Sequence, residues 1–190
     1  MSLRLAVLAL LDVQPASGYG LLQRFQTSIG CFWQTTHQQL YKELHALYAE
    51  GLLDCQTILQ HDKPDKKIYT LNTAGQHMLD TLLQKPAQLP KIKDGFLVKL
   101  FAGHRIAKAD LMAELQGLEQ RHQECLQGYQ VILNQYANLS PEQQQRYTYP
   151  IQTLKWGIHL EQSWLYWAQQ CLQDLARMPD PRTASSDPIE

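Results

Sequence analysis

The chain has 190 residues, a net charge of −1 and an ordinary apolar share of 44%. That is enough for one domain or two small ones, argues against disorder over most of the length, and lacks the surplus of positive charge that often marks a nucleic-acid binder. Seven basic side chains stand against seven acidic ones up to Pro86 and ten against eleven beyond it, and no apolar run approaches the roughly 20 residues needed to cross a bilayer.

The run Leu3–Leu11 is apolar nearly all round and predicts a buried first helix. It ends at Asp12 without a small-residue cleavage site, so it is not read as a signal peptide. Pro15-Ala16-Ser17-Gly18 predicts a turn, with Ser17 capping a second helix from Tyr19 to about Ser28 and Gly30 ending it. A third helix is expected from Thr36 to Glu50, with Thr35 or Thr36 as its cap and Gly51 as its stop. Leu52–Gln60 and Lys67–Leu71 read as strands of a hairpin joined by a Pro-containing loop, His61–Asp65. Thr73 with Gln76 forms a capping-box pattern for a fourth helix reaching about Leu83.

This order of three helices, a hairpin and a helix is the plan of a winged helix-turn-helix. The expected fold is therefore mainly α with a small β-hairpin. Residues 1–86 are expected to form this head, 87–178 a helical domain with a coiled-coil or bundle face, and 179–190 a disordered tail. In the second part, a short helix is expected over Asp94–Ala102 and a long one over Ala107–Asn138. The long helix carries Leu111, Leu115, Leu118, His122, Cys125, Tyr129, Ile132 and Tyr136 at three- and four-residue steps. Ser140 caps a short helix to about Arg146, and Pro150 opens a final one to about Arg177. That last helix bears one stripe through Ile151, Leu154, Ile158, Leu165, Ala168, Leu172 and Leu175. Trp156, Leu160, Trp164, Trp167 and Cys171 widen it beyond what one neighbour covers, which points to a second subunit.

On a helical wheel Leu40, Leu44 and Leu47 form the buried stripe of the third helix, while Thr35, Gln38, Lys42 and His45 lie opposite with Gln39 and Tyr41 on the flanks. Gln pairs with adenine, Thr offers a methyl and a hydroxyl, and Lys reaches guanine or phosphate. A recognition helix reads bases mainly with its first turns, where these residues are concentrated. Lys63, Lys66 and Lys67 around the hairpin loop suit phosphate contacts on double-stranded DNA.

Cys31, Cys55, Cys125 and Cys171 are scattered with no CxxC, which fits reduced thiols in the cytoplasm and neither a disulfide framework nor a zinc site. A Cys–His pair from Cys31 or Cys55 with His37 or His45 is the only enzymatic constellation in view. No HExxH, phosphate loop or nucleophile elbow accompanies it, so the chain is not read as an enzyme and no cofactor is expected. Neutral charge leaves a second reading, a winged-helix module that binds a protein partner or only dimerises.

Gly18-Tyr19, Phe32-Trp33, Leu40-Tyr41, Glu50-Gly51-Leu52, Tyr69-x-Leu71 and Ala74-Gly75 resemble the PadR family of bacterial transcriptional regulators. SIGCFW, THQQLYKEL and KPDKKIYTLNTAG are most similar to its AphA-like (virulence activator alpha) branch. The resemblance implies a homodimer of two winged-helix DNA-binding heads, joined by a helical, antiparallel coiled-coil-like dimerisation domain and set on a near-palindromic operator. Thr36, His37, Gln38, Gln39 and Tyr41, with Lys63, Lys66 and Lys67 of the wing, would then meet DNA. Lys66 stands where Arg is usual in the branch, so phosphate binding carries over but bidentate geometry does not. Many PadR-like proteins respond to aromatic molecules. Phe96, Trp156, Trp164 and Trp167 are accordingly the expected lining of either a dimer interface or a pocket for a small aromatic effector.

Overall fold

The structure is a computed structural model that describes residues 3–27, 35–59, 65–87 and 92–179. It divides into two compact units, residues 1–90 and 91–190.

In the first unit, helices α1 (Leu3–Val13), α2 (Gly18–Thr27) and α3 (His37–Ala49) converge on one core. The leucines at helical spacing account for this. Val7, Leu8, Leu11, Leu21, Phe25, Leu40, Leu44 and Leu47 are almost wholly shielded from water. Strands β2 (Leu53–Ile58) and β3 (Lys66–Leu71) pair antiparallel from Leu53 opposite Leu71 to Ile58 opposite Lys66. Gly51 makes the reversal from α3 into β2 with a φ of 73°, a left-handed value that glycine adopts without steric cost. Helix α4 (Thr73–Leu83) closes the unit through Leu79.

Two expectations for this unit are corrected. Ala16–Ser17, read as part of a turn, is a short strand β1 that pairs with β3, so the hairpin belongs to a three-stranded sheet of order β1-β3-β2. A two-residue edge strand beside Pro15 has too few positions to show alternation. The cap of α4 is Asn72 rather than Thr73. The Asn72 backbone is extended and its side chain accepts from Gly75 N at 3.0 Å, which leaves Thr73 as the first helical residue and the Thr73–Gln76 box unmade. Lys63 and the residues of the second-to-third helix turn, Cys31, Phe32 and Trp33 among them, lie outside the described residues, as does the tail from residue 180.

The second unit holds α5 (Gly95–Phe101), a 3-10 turn at Gly103–Arg105, α6 (Lys108–Ala137), α7 (Pro141–Arg146) and α8 (Thr148–Arg177). Asp94 caps α5 by accepting from Phe96 N and Leu97 N, and Ser140 with Gln143 makes a full capping box on α7. The long helices α6 and α8 pack on each other. Leu111 and Leu115 join Phe96 of α5 and Ala168 of α8 in one cluster.

Helix α8 starts at Thr148, two residues ahead of the expected Pro150, which still sits in the first turn where no backbone donor is required. Cys125 is exposed and its neighbour Leu126 takes the buried place, because a straight helix drifts away from strict heptad spacing over 30 residues. Burial pushes the Cys171 thiol upward, away from the thiolate a redox sensor needs. No helix among the described residues is long and apolar enough to cross a membrane.

Candidate nucleic-acid interface

Helix α3 is held from behind by charge and from its start by a cap. The guanidinium of Arg4 on α1 donates to Glu43 Oε1 at 2.9 Å and to both carboxylate oxygens of Glu50 at 2.6 and 2.8 Å. Glu50, then Glu43, hold its charge well above the ordinary range for arginine. At the other end the Thr36 hydroxyl accepts from Gln39 N at 3.2 Å, while Gln39 Oε1 accepts from Thr36 N at 3.1 Å, a complete capping box.

That cap sorts the expected reading residues. Thr36 and the carbonyl oxygen of Gln39 are engaged in it, and Thr35 Oγ1 lies 3.5 Å from the same Gln39 oxygen. A bidentate grip on adenine needs both the oxygen and the nitrogen of an amide. Gln39 therefore cannot make one while the box is closed. Exposed Gln38 retains both groups, and Lys42 and His45 are exposed on the same side. Tyr41 is half-buried: its ring stacks on His37 at 4.2 Å and meets His45 edge-on at 6.4 Å.

Lys66 and Lys67 are the first two residues of β3 and both are exposed. With Tyr41 and His45 of α3 and the first residues of α2 they line a cleft of about 590 Å³. A Cβ at position 18 would lie 2.6 Å from the tip of the Tyr41 ring, so glycine there lets that ring rest against the start of α2. Arg4 and Gly18 were not expected to matter to this surface. Arg4, a lone charge inside an apolar run, was the available signal.

The four aromatic residues singled out in the second unit do not share one environment. Phe96, Trp164 and Trp167 form a chain of edge-to-face contacts at 6.5 and 5.6 Å, and Trp164 stacks on His122 at 3.6 Å. Trp156 stands apart, 57% exposed. His122 Nδ1 lies 2.5 Å from Glu161 Oε2, and Glu161 is the one buried charged side chain among the described residues. Glu161 follows Ile158 by three residues on the apolar stripe, a position that already marked it as inward-facing. Among the described residues no group of three or more His, Cys, Asp or Glu is placed to hold a metal ion. Cys55 sits on β2 opposite Tyr69, while His37 and His45 flank Tyr41.

The Transcriptional regulator PadR-like family model matches residues 7–81, and Virulence activator alpha C-term matches residues 92–176. A probable transcriptional regulator of Mycobacterium tuberculosis is 41% identical over 86 residues, 45% of this chain and 46% of that protein. The negative transcriptional regulator PadR of Bacillus subtilis is 36% identical over 100 residues, 52% of this chain and 55% of that one, so the chain spans about half the length of the curated relatives it matches. Among solved structures, B. subtilis PadR in complex with operator DNA superposes with a TM-score of 0.72 at 25% identity, covering 91% of this chain and 98% of that one. The Vibrio cholerae virulence activator AphA gives 0.68 at 28%, covering 94% and 100%. Family and relatives are transcriptional regulators, not enzymes. With one family model on each unit, this chain belongs to the PadR family of transcriptional regulators, in its AphA-like branch.

Proposed function

We propose that the chain is a sequence-specific DNA-binding regulator that acts in the cytoplasm as a homodimer on a near-palindromic operator. The observation that carries this reading is the outward face of α3. Four polar side chains, His37, Gln38, Lys42 and His45, stand exposed on a helix that Arg4 and the Thr36–Gln39 box hold in place. The first turns of α3 enter the major groove, Gln38 reads a base edge, and Lys66 and Lys67, with Lys63, neutralise phosphates. The likeness to a PadR solved on operator DNA supports it.

Apolar surface on the second unit supports the dimer. Leu97, Val98 and Phe101 of α5 and Trp156 and Leu160 of α8 are exposed, where a solitary bundle would carry charge. The rival reading, a protein-interaction module, draws on the neutral charge of the first unit.

Selection from random DNA separates the two. A consensus with two related halves about one helical turn, or a multiple, apart is expected, and enrichment of no sequence at low salt would overturn the DNA reading. On the selected site Gln38→Ala is expected to cost about 1–3 kcal/mol of discrimination and leave stability unchanged. Gln39→Ala removes the side-chain half of the box, leaves the residue-39 amide on the Thr36 hydroxyl, and costs about 0.5–1.5 kcal/mol of folding stability instead. Binding anisotropy and denaturant unfolding of the two variants check the division of labour.

We further propose that a small aromatic effector stacks on the half-buried rings of Trp164 and Trp167, beside the His122–Glu161 pair. Tryptophan fluorescence titrated with a panel of phenolic compounds is expected to fall and saturate. A flat response across the panel leaves these rings a packing role alone.

A further inference from the structure

Four of the seven histidines, His37, His45, His61 and His77, fall within residues 1–86, where seven basic and seven acidic side chains cancel. Charging all four imidazoles takes this head from neutral to +4. Two of the four occupy the outward side of α3. His37 and His45 are both exposed and stand four residues either side of Tyr41, whose ring stacks on the first and meets the second edge-on. One ring, itself resting against Gly18 of α2, thus steadies both imidazoles. The nearby charges on α3 are Lys42, exposed beside them, and Glu43, which is turned back to Arg4. From the other elements, His45 shares its cleft with Asp65, Lys66, Lys67 and Tyr69 of β3 and Tyr19 of α2. Burial raises the Tyr69 phenol, so that hydroxyl stays neutral where histidine titrates.

We propose that the His37–Tyr41–His45 ladder makes operator binding proton-linked: the two imidazoles are taken up in their charged form when α3 meets DNA, so the chain holds its operator more tightly as acidity rises. This rests on the DNA reading given above and adds to it a response to pH. The sign follows from the charge of the partner. Nucleic acid favours the cationic form of an imidazole brought to its surface, so binding takes up protons, and affinity is gained as pH falls and lost as it rises. A lysine in either place would supply its charge at every physiological pH. Histidine makes that charge conditional. The balanced head sharpens the effect, because each proton is added to a unit with no net charge of its own.

The test uses the full chain on its selected operator, with binding anisotropy read from about pH 8 to about pH 6 at one fixed ionic strength. The wild-type dissociation constant is expected to fall about tenfold over that range, the scale of one charge-assisted hydrogen bond. The salt slope should be steeper at the acid end, by up to about 0.9 for each imidazole charged in the complex. Replacing both residues, His37→Gln together with His45→Gln, should flatten the pH response, and each single change should remove part of it. His77→Gln on α4, away from the ladder and the cleft, should keep the wild-type affinity and response. Titration calorimetry in buffers of differing ionisation enthalpy counts the protons taken up by the wild-type chain and should find fewer in the double variant. A flat wild-type profile, or a response that survives the double replacement, overturns the proposal while leaving the DNA reading intact. Absence of any operator preference at both ends of the range overturns both.

Discussion

Replacing Gly75 with alanine is expected to destabilise the first unit by about 3 kcal/mol, the upper end of what one overpacked methyl does in a dense core. The added carbon would stand 2.2 Å from the Leu52 carbonyl oxygen and 2.5 Å from Leu71 Cδ1. The first of these neighbours is backbone and cannot rotate away, so β2 or α4 must shift as a body. Leu52 follows the Gly51 reversal directly, and Leu71 is the last residue of β3, so the shift reaches the base of the wing. Against a total stability of about 5–15 kcal/mol such a loss is large. Gly117→Ala is the matched control: no neighbouring atom lies within 4 Å of a Cβ there, and the change should be neutral or stabilising by up to ~1 kcal/mol. Denaturant unfolding of the two variants measures the difference. Equal midpoints would show that α4 does not need its close approach to Leu52.

Cutting the chain after residue 86 should leave a folded head that binds the operator at least ~10²-fold more weakly than the intact protein, because the second head no longer acts at high effective concentration. The head has its own core, drawn only from α1 to α4 and the sheet, so folding should persist and circular dichroism should report it. Its equal numbers of acidic and basic side chains leave little non-specific attraction to replace the lost partner. The slope of affinity against salt should fall to about half, since half the phosphates are met. A truncated head as tight as the full chain would remove the case for cooperation between two copies.

Much of the fold is written in periodicity. Leu40, Leu44 and Leu47 announce the buried side of α3, and the Gly51 stop and the alternation through Lys67–Leu71 announce the turn and strand that follow. Features that depend on meetings between distant residues are not written there. Whether Asn72 or Thr73 caps α4 depends on which backbone is extended, and both residues have the chemistry to cap. Strand β1 exists because β3 offers it a partner, not because Ala16 and Ser17 favour a strand. On α3 the sequence shows which residues face outward, but the task of Gln39 is set by its spacing to Thr36 and by the extended backbone at that threonine. Tyr41 reads as a free flank on a helical wheel, yet it is folded over Gly18 of another helix.

The Glu161–His122 bond sets the longitudinal alignment of α6 against α8. Sliding one rod past the other by a single turn, about 5.4 Å, would carry the carboxylate away from its imidazole and strand it among leucines. Apolar contacts along the seam tolerate such creep, since one leucine replaces another at little cost. The polar cross-link does not, so it singles out one alignment of the two rods from those that leucine packing alone would allow.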